Sequence, residues 1–143
     1  MRNPPFADLK VLDLSWVVAG PLIGRVLADY GATVIRVESS KRVDTARVMG
    51  PFPGGKPDKQ QSALFENCNA GKLGLSLDLS TEQGRTVVRD LVSWADVLVN
   101  LGTRQYVSRV GVIRPPGVGI FRPLEEVPKG VSKQPVDGVI LPC

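Results

Sequence analysis

The sequence predicts an α/β fold built on an open sheet of parallel strands. Short apolar segments alternate with amphipathic segments from residue 9 to residue 100, and turns containing glycine or proline separate them. Alternation of this kind is typical of βαβ units, whose crossover connections are right-handed. With 143 residues, the chain has room for one domain with its own hydrophobic core.

The first βαβ unit begins at Leu9. The segment LKVLDLSWVV is an apolar run that predicts a buried parallel strand. Pro21 suits the first turn of a following helix, and Gly31 suits its C-terminal end. Apolar residues at helical spacing predict one buried stripe on this helix. The stripe consists of Leu22, Ile23, Val26, Leu27 and Tyr30. The segment ATVIRVE then predicts a second strand that ends at Glu38.

The second half of the predicted sheet follows a long loop. Residues 39–66 contain basic, glycine-rich and proline-rich stretches, and loops of this length are often functional. The segment NCNAGK predicts a polar turn that leads into a third strand, LGLSLDL. Ser80 and Gln83 form a capping-box pattern, so a second helix is expected to begin there. Asp96 opens a fourth strand, DVLVN.

The alternation ends near residue 112. Residues 101–143 contain six prolines and six glycines, which predicts an irregular tail with one short strand at GVIL. We therefore divide the chain into residues 1–112 and 113–143. A natural linker would explain the tail. The alternative is a truncated or frameshifted reading of a longer gene, which a four-stranded sheet with an exposed edge favours.

The composition excludes several classes of function. The chain has no histidine, so Ser-His-Asp triads and histidine-ligated metals are excluded. Its two cysteines form no CxxC pair, and Cys68 is expected to be a small buried or loop thiol rather than a nucleophile. The net charge of +4 is scattered, which argues against nucleic-acid binding. Neither a membrane span nor a signal-peptide core is evident, so we expect a cytoplasmic protein.

Ligands of open parallel sheets bind at the carboxyl ends of the strands. The first such end, SWVVAGP, precedes a helix whose free N–H groups would favour an anion or a thioester oxygen. A plain tight turn is the alternative. Neither GxGxxG nor GxxxxGK[ST] occurs, so a dinucleotide site or a P-loop of the usual kind is not predicted.

Charged residues near these ends have two interpretations. Asp13 and Asp78 are expected to accept backbone N–H bonds or to pair with a cation, because an unpaired carboxylate in an apolar strand is costly. Glu38 lies where dinucleotide-binding folds hold a ribose-binding acid, but without the glycine motif it is expected to be solvated or ion-paired. The basic residues that follow the second strand either meet phosphates or are simply solvated. They are Lys41, Arg42 and Arg47.

Four segments closely resemble, in order and spacing, the N-terminal part of family III CoA-transferases. They are LKVLDLSWVVAGPLIGRVLADYGATVIRVE, NCNAGKLGLSLDL, LVSWADVLVN and SRVGV, and the resemblance covers residues 6–112. It implies a Rossmann-like domain, homodimers in the full-length family, and CoA along the carboxyl ends of the strands. In this family an aspartate attacks the acyl-CoA thioester, which gives an anhydride and then an enzyme–CoA thioester. An acceptor carboxylic acid then collects CoA.

The resemblance also assigns five CoA-binding positions. Val17, Val18 and Ala19 border the CoA thiol end, Leu77 lines the adenine region, and Arg109 contacts CoA. Some positions depart from the family pattern. Val18 replaces a glutamine of some members, and Ser39 replaces a phosphate-binding arginine for which Lys41 or Arg42 would substitute. Leu101 and Gly102 replace an Asn-Phe pair beside Asn100.

The resemblance implies the N-terminal CoA-binding part of an enzyme that transfers CoA between an acyl-CoA and a carboxylic acid. No segment matches the family's catalytic aspartate region, and Asp137, in different surroundings, is assigned no role. The chain is therefore expected to bind CoA or acyl-CoA, to need no metal, and to be inactive alone. A fragment of a racemase-type enzyme and a non-catalytic CoA-binding or interaction module are the alternatives.

Overall fold

The computed structural model describes residues 3–100 and the strand at residues 119–121. The strands are β1 (Lys10–Asp13), β2 (Thr33–Glu38), β3 (Leu73–Ser76), β4 (Val97–Val99) and β5 (Gly119–Phe121). The helices are α1 (Ala19–Asp29), α2 (Ala63–Asn69) and α3 (Glu82–Trp94), with short 3-10 turns at Thr45–Val48 and Pro53–Gly55. All strand pairs are parallel, in the order β3-β2-β1-β4-β5, so the predicted open α/β sheet is confirmed.

Helices cover the two faces of the sheet. On one face, Leu12, Val37 and Leu98 pack with α3 through Val88 and Val92. On the other face, apolar residues of three strands pack with α1. These residues are Val11, Val34, Val97 and Val99, joined by Ile23 and Leu27 of α1. Burial on both faces explains why the strands are nearly continuous apolar runs in the sequence.

Helix α1 approaches the sheet through small residues. Gly20, Pro21 and Gly24 are its buried residues. Of the five-residue stripe that the sequence predicted, three members are instead exposed, with 37% exposure for Leu22, 51% for Val26 and 54% for Tyr30. The small side chains allow close packing, so the glycine-bearing side of the helix faces the strands and turns these three residues outward. Gly31, with φ of 101°, ends the helix as predicted.

Two local predictions about helix boundaries were wrong. The segment NCN is the last turn of α2 rather than a polar turn, and Cys68 is buried there, as expected for a small thiol. Helix α3 is capped by Thr81, whose hydroxyl accepts a hydrogen bond from the Gly84 N–H at 3.1 Å. Ser80 does not cap this helix because its hydroxyl and its N–H both donate to the carboxylate of Asp78.

Strand β5 changes the interpretation of the tail. Val97 of β4 pairs with Gly119, and Val99 pairs with Phe121. Strand β4 is therefore flanked on both sides and is not the sheet edge that the sequence predicted. The sequence did not predict β5, because a strand of three residues is too short to show a hydrophobic period. Its pairing also depends on β4, about 20 positions away in the chain. The predicted strand at residues 138–141 lies outside the described residues.

Within residues 3–100, no helix has both the length and the apolar character that crossing a bilayer requires. In that range, no three or more Cys, Asp or Glu side chains converge in a way that would hold a metal ion.

Lys72, at the start of β3, is buried beneath α1. Its ammonium group donates to the Asp13 carboxylate at 2.7 Å, to the Pro21 carbonyl at 2.7 Å and to the Asn69 side-chain oxygen at 2.9 Å. The Lys72 side chain is 1% exposed and that of Asp13 is fully buried. Burial lowers the pKa of Lys72, and the Asp13 carboxylate opposes this effect. The ion pair ties β1, β3 and α1 together.

Gly24 of α1 lies directly against this ion pair. A Cβ atom at position 24 would lie 3.0 Å from Asp13 Oδ2 and 3.1 Å from Lys72 Nζ. An added Cβ would force these neighbours to shift by a few tenths of an ångström, and the hydrogen bonds that hold each of them oppose the shift. A glycine is therefore favoured where the helix crosses the ion pair.

We expect Gly24→Ala to lower the free energy of unfolding by about 1–3 kcal/mol, because the added methyl group displaces the Asp13–Lys72 pair. The matched control is Gly74→Ala in β3, where an added Cβ meets nothing within 4 Å. This control should change stability by less than about 1 kcal/mol. Urea denaturation followed by circular dichroism measures both. Equal effects of the two substitutions would contradict the packing argument.

Candidate active site at the carboxyl edge of the sheet

The carboxyl ends of the parallel strands meet at one edge of the sheet, which we call the carboxyl edge. Among the strands of residues 3–100, β1 ends there at Asp13, β2 at Glu38, β3 at Ser76 and β4 at Val99. The segments that leave these strands are residues 14–18, 39–47 and 77–81, with Asn100 after β4. The segment after β1 leads directly into α1, so the N-terminus of α1 lies at this edge.

The N-terminus of α1 has no side-chain cap. Val18 is the N-cap residue and supplies no side-chain acceptor, and the first turn contains no acidic residue. The Val18 carbonyl accepts the Leu22 N–H at 2.9 Å, which begins the helical pattern. The N–H groups of a first helical turn lack intrahelical partners, and the helix dipole gives them partial positive charge. This end of α1 therefore suits an anion or a polarised carbonyl oxygen.

The residue before the N-cap has an unusual backbone. Val17 has a φ of 66°, in the left-handed region that a β-branched residue rarely adopts. Its N–H donates to both carboxylate oxygens of Asp44, at 3.1 and 3.2 Å. Asp44 follows β2 and is fully buried.

A buried ion-pair network, which consists of Asp13, Arg36, Asp44 and Lys72, lies behind this segment. The Arg36 guanidinium forms a salt bridge with Asp44, lies 3.8 Å from an Asp13 oxygen, and donates to the Ser15 carbonyl at 3.2 Å. Asp13 accepts the Ser15 N–H at 2.9 Å. The prediction that Asp13 is paired is confirmed. Arg36 Nε is buried and has no hydrogen-bond partner among the described residues.

A cavity of about 420 Å³ opens beside the network, between α2 and strands β2 and β3. This volume lies in the range of small-molecule sites. Among the described residues, four cationic side chains and one carboxylate line it. They are Arg36, Arg47, Lys59, Lys72 and Glu38. The Phe65 ring lies 3.6 Å from the Arg47 guanidinium and 5.2 Å from that of Arg36. Arg36, Arg47 and Lys72 are ion-paired with carboxylates, so the cavity offers an aromatic ring beside cations whose charge is largely neutralised within the protein.

Glu38 and Arg47 form an ion pair at the wall of this cavity. Arg47 Nε lies 2.7 Å from Glu38 Oε1, and Nη2 lies 2.9 Å from Oε2. Arg47 also donates to the Lys59 carbonyl at 3.1 Å, which fastens the long loop to β2. Burial raises the pKa of Glu38, but hydrogen bonds from Arg47 and from the Asp44 N–H, together with the charges of Arg47 and Arg36, leave the pKa lowered. Of the two states that the sequence left open for Glu38, solvated or ion-paired, the structure shows the ion pair.

The five predicted CoA-binding positions are only partly brought together. Val17, Val18 and Ala19 are consecutive at the N-terminus of α1. Leu77 follows β3, two strand positions from β1 and so about 10 Å along the carboxyl edge. Its N–H donates to the Glu38 carbonyl at 2.8 Å, and its side chain packs against the core beneath α3. Arg109 lies outside the described residues.

The basic loop after β2 is largely engaged within the protein. Lys41 pairs with Asp78 at 2.5 Å, and this hydrogen bond is the main cause that lowers the pKa of Asp78 to about 2. Asp78, which follows β3, is therefore paired as predicted. The Arg42 guanidinium lies 4.8 Å from the Trp16 ring. Lys41 is nevertheless exposed, so a phosphate would be able to reach it.

The sequence reasoning missed Arg36, Asp44 and Phe65. Arg36 left a signal, because a cation at an inward position of the apolar segment ATVIRVE requires a buried partner. Asp44 and Phe65 left none, since both lie in the long loop region without a period. Asn100, beside which the family pattern fails, has a buried side-chain oxygen with no hydrogen-bond partner among the described residues.

We expect Glu38→Gln to destabilise the protein at neutral pH by on the order of 1–3 kcal/mol, because it removes a charged hydrogen-bond acceptor from Arg47. The folded-state pKa of Glu38 lies below its ordinary value of 4.5, so the stabilisation is present above pH 4.5. It is lost as the pH falls through the lowered pKa.

The stability difference between wild type and Glu38→Gln should therefore shrink as the pH falls below 4.5. Urea titrations at a series of pH values measure it. Glu66→Gln, at an exposed position of α2, is the control and should show a smaller difference in stability than Glu38→Gln at neutral pH. A difference for Glu38→Gln that grows in acid would contradict the assigned pKa direction.

The sequence and fold match known proteins. Residues 6–114 match the model of CoA-transferase family III. The chain is 35% identical over 113 residues to succinate–glutarate CoA-transferase of Agrobacterium fabrum, covering 78% of this chain and 28% of that protein. It is 41% identical over 92 residues to succinyl-CoA:mesaconate CoA-transferase of Haloarcula hispanica, covering 64% of this chain and 23% of that protein.

Solved structures agree with this match. A CAIB/BAIF family protein from Brucella suis superimposes with a TM-score of 0.66 at 37% identity, over 78% of this chain and 29% of that one. Rv3272 from Mycobacterium tuberculosis gives a TM-score of 0.67 at 32% identity, over 82% of this chain and 33% of that one. The chain thus spans between 23% and 33% of the length of these relatives. With three-quarters of its residues inside the match, the chain belongs to CoA-transferase family III.

Proposed function

We propose that this chain is the N-terminal CoA-binding part of an enzyme that transfers CoA between an acyl-CoA thioester and a carboxylic acid through an aspartyl anhydride. The observation that carries the proposal is the uncapped N-terminus of α1 at the carboxyl edge. It coincides with Val17, Val18 and Ala19, the positions that the family resemblance assigns to the CoA thiol end. The proposal includes homodimers of the full-length enzyme in the cytoplasm.

The thioester end of CoA would lie against the start of α1. The first-turn N–H groups and the helix dipole favour an oxygen that carries partial or full negative charge. The thioester carbonyl oxygen gains negative charge when a carboxylate attacks it, so donors at this place stabilise the attack more than the bound substrate. Ala19 is exposed and small, which leaves room for the acyl group.

The phosphates of CoA would lie further along the carboxyl edge, toward β2 and β3. Lys41 is an exposed cation there, and Lys59 lines the neighbouring cavity. Ammonium groups attract phosphates as point charges and do not need a fixed geometry. This arrangement supports Lys41 as the substitute for the family arginine that Ser39 replaces.

The chain's own contribution is binding and orientation rather than covalent chemistry. Asp13, Asp44 and Glu38 lie near the site, but each accepts hydrogen bonds from a cation. Such carboxylates are poor nucleophiles, because attack requires an accessible lone pair and release of the partner. We therefore propose that the nucleophilic aspartate is supplied from outside residues 3–100. A transferase rather than a racemase parent is favoured, because the relatives named above are CoA-transferases.

We expect Val18→Asp to weaken CoA binding by at least about tenfold, because its negative charge beside the first turn of α1 repels the anionic ligand. The same charge interacts favourably with the helix dipole, so thermal stability should stay close to that of wild type. Val18→Ala adds no acceptor and should lose less affinity. Calorimetric titration of the 143-residue chain with CoA measures this. Wild-type affinity in a folded Val18→Asp variant would contradict a thioester site at α1.

We expect no exchange of CoA when the purified chain is incubated with an acyl-CoA and a series of carboxylic acids. Liquid chromatography of the acyl-CoA products measures the exchange. A full-length family III transferase, assayed in the same mixture, shows that the conditions support turnover. Exchange by the chain alone would mean that it supplies its own nucleophile.

A further inference from the structure

Val17 is the only non-glycine residue with a positive φ among the described residues, at 66°. A β-branched side chain is strongly disfavoured in the left-handed region, so the surrounding structure must hold this conformation. Residues held in such conformations concentrate at functional sites. Val17 is also the residue at which the chain leaves β1 and turns into α1.

Asp44 holds this conformation in place. Both of its carboxylate oxygens accept the Val17 N–H, at 3.1 and 3.2 Å. The carboxylate is fully buried and is itself fixed by the Arg36 guanidinium and by the Ala46 N–H at 2.9 Å. Arg36 also donates to the carbonyl of Ser15. The buried Arg36–Asp44 ion pair therefore binds the backbone on both sides of Trp16. Asp44 accepts the Val17 N–H, and Arg36 donates to the Ser15 carbonyl.

The direction of the chain at the start of α1 depends on these hydrogen bonds. Val18, the N-cap residue, has φ of −118° and ψ of −61°, outside the extended region that N-cap residues usually adopt. No side chain caps the helix, so the left-handed Val17 replaces the usual cap in setting the direction of the first turn. A side-chain cap would occupy the first-turn N–H groups of α1, which the thioester oxygen would need. Asp44 instead binds the N–H of Val17, outside the helix, so the first-turn N–H groups stay available.

We propose that Asp44 is a positioning residue for the CoA thioester site. It holds Val17 in the left-handed conformation, and thereby aims the Val17–Ala19 backbone at the thioester. The inference rests on the proposed function for the place of CoA. The conformational part of the inference, that Asp44 fixes the backbone at Val17, stands on the geometry alone.

The alternative role of Asp44 is purely structural. Its side chain also caps the 3-10 turn Thr45–Val48 through the Ala46 N–H, and it neutralises Arg36. Removal of the carboxylate would destabilise the protein in either case, so a loss of stability does not separate the two roles. A substitution at Val17 does separate them, because glycine adopts φ near 66° at little cost.

The test is a double-mutant cycle of Asp44→Asn and Val17→Gly, with CoA affinity and unfolding midpoint measured on the 143-residue chain. We expect Asp44→Asn to weaken CoA binding by about tenfold or more in the wild-type background. In the Val17→Gly background it should weaken binding by less than about threefold, because glycine needs no carboxylate to hold it. The loss of thermal stability should be similar in both backgrounds.

An equal loss of affinity in the two backgrounds would overturn the inference and leave Asp44 with its structural role. If Asp44→Asn does not fold, Asp44→Glu replaces it, since it keeps the charge opposite Arg36 and displaces the carboxylate by one methylene. The same cycle and the same two outcomes then apply.

Amide hydrogen exchange at residue 17, followed by NMR without ligand, tests the conformational part separately. We expect the Asp44 substitution to speed exchange at this amide relative to those of β1. No selective change would overturn the role of Asp44 even if CoA binds. A wild-type chain that does not bind CoA would overturn the proposed function and leave this measurement valid.

Discussion

The burial of two cations against two carboxylates is the constraint on which this fold and its site both depend. Asp13, Arg36, Asp44 and Lys72 come from β1, β2, the long loop and the start of β3, and their side chains are at most 3% exposed. Removal of one member would leave an uncompensated buried charge, which costs about 3–5 kcal/mol. The network therefore fixes the relative positions of the elements that surround the carboxyl edge.

Close packing of α1 makes this arrangement compatible with a binding site. Gly24 lets the helix cross directly over the Asp13–Lys72 pair, and Pro21 supplies a carbonyl to the Lys72 ammonium. The helix is consequently held by its middle and not by a cap at its N-terminus. Its first turn can then serve a ligand without weakening the attachment of the helix to the sheet.

Much of the sheet was predictable, because apolar strands that are covered on both faces leave a strong signal in the sequence. Strands β1 to β4, Pro21 in the first turn of α1 and Gly31 at its end all follow from local patterns. The exposed face of α1 was not predictable, since the close approach through Gly20 and Gly24 depends on partners in distant strands. The same holds for β5 and for Asp44, whose contact with Val17 spans 27 residues.

Ionic strength would act differently on the buried ion pairs behind Val17 and on the exposed cations of this site. Arg36, Asp13 and Asp44 lie out of reach of solvent counterions, and dissolved salt screens buried pairs much less than exposed ones. The turn at Val17 would therefore keep its shape in concentrated salt. Lys41, whose side chain is 73% exposed, would lose much of its attraction for phosphates under the same conditions. Tolerance to salt in this chain would then be decided by the exposed cations, while the geometry at Val17 stays constant.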